Sequence, residues 1–321
     1  MWGMGKASRT KNDGDRRARI AAQREAERRA AQRKRIYWAG GSILCVAILV
    51  VAIVLVKINS SPPAAAAAPT GAALTSVLKT VETLPSSTTD TVGAGGVTTS
   101  LFVTGQTSSE IESDASNQAN GGDYFATVDS STKLTSGGKP EVLFMGGEYC
   151  PYCAAERWAI ISALSRFGTF SGLGTTHSSS SDVYPNTPTF DFYKSSYTSK
   201  YINFTSVEMY GDESTVTLQK PTSAETALEE NYDPNGAIPF LDLGNQYVEV
   251  GNLAPLVPSM LDGQTYQQIS SSMAKPASGS AGEAEDANAN YITAGICKMT
   301  NEQPSSVCTP TIQTLQQSFA S

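Results

Sequence analysis

Histidine is almost absent from this chain, which has one, His177, in 321 residues. Cysteine is scarce as well, and of five cysteines only Cys150 and Cys153 stand in a C-x-x-C spacing. A structural zinc site takes four ligands, most often cysteine and histidine. Here it would have to combine these two cysteines with His177 and a carboxylate. We therefore expect no bound metal and no other cofactor.

Charge is missing from one long segment and unevenly spread elsewhere. Residues 1–36 carry twelve Lys/Arg against four Asp/Glu, and because the whole chain has a net charge of -7, the remainder carries about -15. Residues 37–56 have no charged side chain and consist mostly of Ile, Leu, Val and Ala. A helix of that length spans about 30 Å, the thickness of the hydrocarbon core of a bilayer.

The excess of Lys/Arg before this apolar run predicts a cytoplasmic N-terminus and an extracytoplasmic main domain. We expect a single-pass protein of the cell membrane, anchored through residues 37–56. The basic arm is then a topology signal, and we expect it to bind no nucleic acid. The alternative is a signal peptide that is cleaved near the small residues Ala64–Ala68.

The remaining cysteines agree with this topology. Cys45 lies inside the apolar run, whereas the C-x-x-C pair, Cys297 and Cys308 all lie on the predicted outer side, and an even number of cysteines there suits an oxidising compartment. We expect Cys297 and Cys308 to form a structural disulfide, worth about 3 kcal/mol. The alternative is a second redox pair that relays electrons to or from Cys150 and Cys153.

The C-x-x-C lies between a strand pattern and a helix pattern. The run Val142–Met145 predicts a short buried strand. Apolar residues then recur at helical spacing from Trp158 to Phe167, and Gly168 is a candidate C-cap. Trp158 is expected in the core and Arg157 on the helix surface. A cysteine at the start of a helix faces unpaired N–H groups and the positive end of the helix dipole, which stabilise a thiolate.

Weaker patterns complete the outer domain. Residues 57–73 have linker composition, the Ser/Thr-rich segment 74–138 predicts few regular elements, and Ser171–Pro188 has the composition of a loop. The remaining predicted elements are a strand over 202–210, a helix over 224–231 with Ser223 as its N-cap, a hairpin of 240–243 and 247–250 around Gly244-Asn245, and a helix containing Tyr266, Ile269 and Met273.

The order strand, C-x-x-C, helix, strand, helix, hairpin, helix predicts an α/β fold: a thioredoxin-like central sheet with flanking helices, preceded by a single transmembrane helix. In that fold a cis proline precedes the first hairpin strand and packs against the C-x-x-C. Ile238-Pro239 occupies this position, and an X–Pro bond is the common route to a cis peptide.

Three segments resemble a known family. They are Met145–Ala159, Ser165–Tyr193, and Ile296-Cys297-Lys298 through Val307-Cys308. They are similar to a family of prokaryotic, membrane-anchored, thioredoxin-like proteins catalogued as domain of unknown function 929. The resemblance covers about residues 74–320 and implies a thioredoxin-like fold without a settled substrate. The Pro-Tyr pair inside the motif is shared with glutaredoxins, a similarity of four residues.

These observations predict a membrane-anchored, extracytoplasmic thiol-disulfide oxidoreductase that acts on secreted or membrane proteins. Cys150 would be the nucleophile and Cys153 the resolving thiol, while a cis Pro239 would hold the facing backbone for an extended substrate. Glu148 and His177 are possible modulators of proton transfer. The expected partners are protein thiols or disulfides and an unidentified redox partner. The alternative is a non-catalytic thioredoxin-like binding module with structural disulfides.

The predicted organisation has six parts. These are a basic cytoplasmic arm (1–36), a transmembrane helix (37–56), an Ala/Pro linker (57–73), a Ser/Thr-rich extension of the outer domain (74–138), a thioredoxin-like core (139–275) and a C-terminal helical extension with Cys297-Cys308 (276–321).

Overall fold

The computed structural model describes residues 64–95, 102–104, 125–128, 131–251 and 258–316, and all of them belong to one compact unit. The helices in these ranges are α1 (Gly71–Glu82), α2 (Ser86–Val92), α3 (Pro151–Ser165), α4 (Ser223–Tyr232), α5 (Tyr266–Ala274), α6 (Ala281–Met299) and α7 (Pro310–Leu315), with a 3-10 turn at Pro258–Met260. The strands are β1 (Phe102–Thr104), β2 (Phe125–Thr127), β3 (Thr135–Ser136), β4 (Lys139–Gly147), β5 (Gly168–Ser171), β6 (Gly174–His177), β7 (Pro188–Asp191), β8 (Ser196–Ser199), β9 (Asn203–Tyr210), β10 (Phe240–Leu243) and β11 (Tyr247–Val250).

A mixed sheet organises the molecule, and β4 lies at its centre. On one side β4 pairs in parallel with β9, and on the other it pairs antiparallel with β10. The sheet continues through β11 and β2 to β1, while the short β3 folds back on the start of β4. The two remaining strand pairs, β5 with β8 and β6 with β7, form separate ribbons.

The predicted central strand is confirmed, and it is buried on both faces. Val142 and Phe144 pack into the larger core together with α3, whereas Leu143 and Met145 pack into a second core together with Tyr232 of α4. Because successive side chains of a strand point to opposite faces, this alternation places α3 and α4 on opposite sides of the sheet. A strand covered on both faces has a continuous apolar run instead of an alternating one.

Two buried helices, α3 and α6, contribute more residues to the larger core than any other element. Every residue of α3 from Cys153 to Leu164 is buried, because α6 and α1 cover the side that faces away from the sheet. Helix α6 also packs against α5, where Gly282 permits close approach, since a Cβ on it would lie 2.2 Å from the backbone of Ser272. The predicted Cys297–Cys308 disulfide is present and joins the end of α6 to the segment before α7.

Among the residues that the structure describes, no helix has the length and apolar character needed to cross a bilayer. The predicted arm (1–36) and anchor (37–56) lie outside the described residues, and so does the linker as far as residue 63.

The prediction of few regular elements in 74–138 is wrong in its first part. Helix α1 begins at Gly71, inside the predicted linker, and α2 follows it. Val77 and Val81 of α1 are buried in the larger core, where α1 packs against α3 and α5. Ser, Thr and Val, which make up much of α1 and nearly all of α2, have weak helix propensity, so this packing is what stabilises the two helices.

The predicted loop Ser171–Pro188 is wrong in its first part, because β5 ends and β6 lies within it, whereas 178–187 is a loop. Phe170 and Phe192 stack with their ring centroids 5.9 Å apart, and the second ring lies edge-on to Phe204. Gly168 is not a C-cap. It opens β5, where a Cβ would lie 2.4 Å from the carbonyl oxygen of Thr198 in β8.

The other predicted elements are present with small changes. The helix α4 starts one residue earlier than predicted, since Thr222 is the N-cap and forms a capping box with Glu225. The hairpin of β10 and β11 and the helix α5 lie where the patterns place them. Asn245, at the turn, has a positive φ of 52°.

Candidate functional site: a dithiol above a buried ion pair

Cys150 and Cys153 are unbridged thiols at the N-terminus of α3. Cys150 is the N-cap, and its sulfur accepts a hydrogen bond from the backbone N–H of Cys153 across 3.4 Å. Pro151 occupies the first helical turn, where a missing N–H costs nothing. Cys153 is fully buried, whereas Cys150 keeps 6% of its surface exposed. Of the two cysteines, only Cys150 therefore offers any surface to a second molecule.

The backbone of β4 leaves room for the inner thiol. A Cβ on Gly146 would lie 3.1 Å from the sulfur of Cys153 and closer still to the ring of Phe144. Glycine at this position lets the first turn of α3 lie directly on the strand.

The two thiols differ in acidity. A hydrogen bond from Cys153 lowers the pKa of Cys150; burial opposes this effect, and backbone N–H groups and the charge of Arg157 add to it. Burial raises the pKa of Cys153 well above its ordinary value, since a thiolate there would be cut off from water. Cys150 therefore ionises first, as a nucleophile must.

A buried ion pair lies beneath the dithiol. Arg157, one turn after Cys153, is fully buried and donates from Nε and Nη2 to the two carboxylate oxygens of Glu208 on β9, across 2.8 and 2.7 Å. Its guanidinium carbon lies 5.5 Å from the centre of the Phe144 ring. The prediction that Arg157 lies on the helix surface is wrong, because α3 has no solvent-facing side at this turn.

Two further carboxyl groups surround this ion pair. Burial, then the charge of Asp191, raises the pKa of Glu148 to about 7, while Arg157 acts in the opposite sense. The pKa of Asp191 is likewise raised, first by burial, and its side chain is close enough to Glu148 to form a hydrogen bond with it. Thr176 donates to Glu148 across 3.2 Å. Three carboxyl groups, those of Glu148, Asp191 and Glu208, thus lie near one guanidinium group. Because the pKa of Glu148 is about 7, the cluster keeps a proton up to near-neutral pH.

Pro239 lies opposite the dithiol. The Ile238–Pro239 peptide bond is cis, as predicted, and it directly precedes β10. The thiol of Cys150 donates to the carbonyl oxygen of Ile238 across 3.7 Å. The carbonyl oxygen of Pro239 accepts from Gly251 at the end of the hairpin, across 2.8 Å. The backbone at Ile238 thus contacts the reactive sulfur from outside α3.

The structure places Glu148 beside the Arg157–Glu208 ion pair, and it does not join His177 to the dithiol. His177 ends β6, and its Nδ1 lies 3.1 Å from the carbonyl oxygen of Ser178, with no described interaction that links it to either sulfur. Within the described ranges, the potential metal-ligand cluster is Cys297, Glu302 and Cys308, where the disulfide occupies both sulfurs.

Three residues were not predicted from the sequence as parts of the site: Arg157, Asp191 and Glu208. Glu208 had a detectable signal, because it has the same strand phase as Phe204, whose ring packs toward α3. A glutamate on the buried face of a strand needs a cation, and the only basic side chain in α3 is Arg157. Asp191 gave no comparable signal.

The family described as a domain of unknown function (DUF929) matches residues 124–235. This confirms the resemblance over the segment that holds β4, the C-x-x-C, α3, β9 and α4. No curated protein and no solved structure matches the chain.

Proposed function

We propose that this chain, whose residues 124–235 belong to the DUF929 family, is a membrane-anchored, extracytoplasmic thiol-disulfide oxidoreductase with a thioredoxin-like fold. The observation that carries the proposal is the contrast between two thiols three residues apart. One keeps a small exposed surface, caps a helix and has a lowered pKa; the other is fully buried and has a raised one.

The sheet supports the fold assignment. Four strands lie in the order β9-β4-β10-β11, with β4 parallel to β9 and antiparallel to β10. The helix that carries the dithiol follows the central strand, and α3 and α4 cover opposite faces. This strand order, together with the cis proline before the hairpin, supports the proposal of a thioredoxin-like core.

In the reaction that we propose, the Cys150 thiolate attacks one sulfur of a substrate disulfide. A Cys150–substrate bond forms, and the other substrate sulfur leaves as a thiolate and takes up a proton. Cys153 then loses its proton and attacks the sulfur of Cys150, which releases the second substrate thiolate. The protein ends as a Cys150–Cys153 disulfide, and the substrate has gained two electrons and two protons.

The buried ion pair has a role in this scheme. Either thiolate would form in a largely water-free environment, where a cation stabilises it strongly. Arg157 lowers the pKa of both cysteines. Glu148 tunes this effect, because in its protonated form it leaves the charge of Arg157 less compensated.

Equilibration of the purified full-length protein in glutathione buffers tests the proposal, with the redox state of Cys150 and Cys153 read by alkylation and mass spectrometry. We expect a reversible disulfide with a midpoint between about -270 and -120 mV. Cys150→Ser should abolish the transition, and Cys297→Ser/Cys308→Ser should leave it unchanged. A Cys150–Cys153 pair that shows no transition in this window would refute catalysis and leave the binding-module alternative.

A further inference from the structure

Two loops are attached to the residue that precedes the nucleophile. The backbone N–H of Tyr149 donates to Gly211 across 2.9 Å, and its carbonyl oxygen accepts from Ser179, also across 2.9 Å. The first contact belongs to the loop 211–218 and the second to the loop 178–187. Together with 148–153 these loops form the surface around Cys150, which we call the rim.

Both loops are held by internal hydrogen bonds. The loop 178–187 is closed by a backbone bond from Ser178 to Thr187 and by the Ser178 hydroxyl, which donates to Tyr184. The loop 211–218 is a tight turn in which Gly211 donates to Val216 across 2.8 Å. The rim is thus a preformed surface, which lowers the entropic cost of binding a partner.

The rim carries charge of one sign. Asp182, Asp212 and Glu213 lie within its three segments, which contain no Lys or Arg. Glu148 adds a full negative charge only above a pH of about 7, because burial raises its pKa. Asp212 and Glu213 are exposed. Asp182 lies close to the two tyrosines that flank Cys150, since its carboxylate adds to the effect of burial in raising the pKa of both Tyr149 and Tyr152.

The rim also exposes apolar surface. Val183 and Val216 are 50% and 47% exposed, and they are the exposed large hydrophobic residues among those that the structure describes. One lies in each loop. Tyr152 packs edge-on against Tyr184 in the first loop, and Tyr149 packs against Tyr210 beside the second, with ring centroids about 6 Å apart. A cation next to an apolar side chain would find complementary groups in each of the two loops.

We propose that the rim selects basic protein segments that have aliphatic residues next to a disulfide-bonded cysteine. The inference rests on the proposed function, because the rim surrounds the sulfur that would carry out the exchange. The negative charge would raise the encounter rate with such segments and disfavour acidic ones. The exchange itself is the two-electron reaction given above, with the protein's own dithiol as the reductant in a single turnover.

The test compares two disulfide-linked peptides that are identical except for two lysines or two glutamates beside a valine-flanked cysteine. Reduced full-length protein in neutral detergent is mixed with each peptide, and acid-quenched samples give the single-turnover rate. We expect the lysine peptide to react at least about tenfold faster at low ionic strength, and the ratio to fall below about threefold at 0.5 M salt.

Two matched variants locate the effect. Asp212→Lys should lower the rate ratio severalfold, whereas Glu230→Lys, the same charge change at an exposed site on α4, should leave it unchanged. Helix α4 packs on the sheet face opposite α3, which makes Glu230 a suitable control. Hydroxyethyl disulfide, small and uncharged, reports the intrinsic reactivity of Cys150 in each variant and shows that the variant is folded.

The outcomes separate the two proposals. Equal rates for both peptides, with hydroxyethyl disulfide still reduced, would overturn rim selection and leave the oxidoreductase intact. An equal effect of Glu230→Lys and Asp212→Lys would also overturn it, since the preference would then follow net charge. Failure to reduce any of the three disulfides would overturn the proposed function itself.

Discussion

Replacing Glu208 by leucine should destabilise the protein and at the same time make Cys150 more acidic. Glu208 accepts two short hydrogen bonds from Arg157, and both side chains are fully buried. Removal of one member of such a pair leaves a buried charge without its partner and typically costs about 3–5 kcal/mol. For a domain of this size that corresponds to a fall of about 10 °C in Tm.

The same substitution should change the pKa of the Cys150 thiol, and it should do so through Arg157. Arg157 stabilises the Cys150 thiolate, and Glu208 partly neutralises Arg157. Glu208→Leu should therefore lower the pKa of Cys150, and Arg157→Leu should raise it. The absorbance of the thiolate at 240 nm, followed against pH, measures this pKa, and urea unfolding measures the stability. Glu230→Gln, at an exposed position, should change stability by less than about 0.5 kcal/mol.

The double variant Arg157→Leu/Glu208→Leu decides whether the two residues act as a pair. An apolar pair of similar volume can be as stable as a buried ion pair, so the double variant should lose less stability than either single variant. A loss equal to the sum of the single losses would refute the coupling. Shifts of the Cys150 pKa in the same direction for both single variants would refute the electrostatic argument.

Three further predictions concern neighbouring groups. Cys153→Ala should raise the pKa of Cys150, because the hydrogen bond from Cys153 is the largest cause of the lowered pKa. The rate of alkylation by iodoacetamide, measured at several pH values, reports this pKa, and an unchanged pH dependence would contradict the prediction. The pKa of Glu148 is about 7 in the folded protein and near 4.3 when unfolded, so the native state binds the proton more tightly and stability should fall as the pH rises from about 4.5 to 7. Glu148→Gln should reduce this fall in calorimetric Tm, and an equal slope in both proteins would contradict the assignment. Cys297→Ser/Cys308→Ser should lower the free energy of unfolding in urea by about 3 kcal/mol. An unchanged free energy of unfolding would show that the disulfide does not stabilise the protein by restricting the unfolded chain.

The main elements around the dithiol could be predicted because their signals are local. The continuous apolar run Val142–Met145 indicated a short buried strand, and it forms the buried part of β4. The helical spacing after Cys153 indicated α3, and the turn Gly244-Asn245 indicated the hairpin. Each of these patterns lies within a few residues of sequence, where propensity and periodicity act.

Predictions failed where packing overrides composition. The Ser/Thr/Gly-rich segments did not suggest helices or strands, yet α1 and β5 to β8 form because a few residues such as Val81 and Phe170 are buried against distant elements. Gly168 is the residue type expected at a C-cap, but it lies in β5, where the lack of a side chain allows β5 and β8 to approach closely. The burial of these residues depends on elements far away in the chain.

The sequence alone determined the chemistry of the centre: two cysteines three residues apart at the start of a helix, with a proline before the hairpin. Only the tertiary structure decided what surrounds them. Arg157 and Glu208 are 51 positions apart, and their contact exists because β9 pairs with β4 beneath α3. Electrostatic effects act through space and grow when water is excluded, so the acidity of Cys150 depends on groups that no local pattern in the chain brings together.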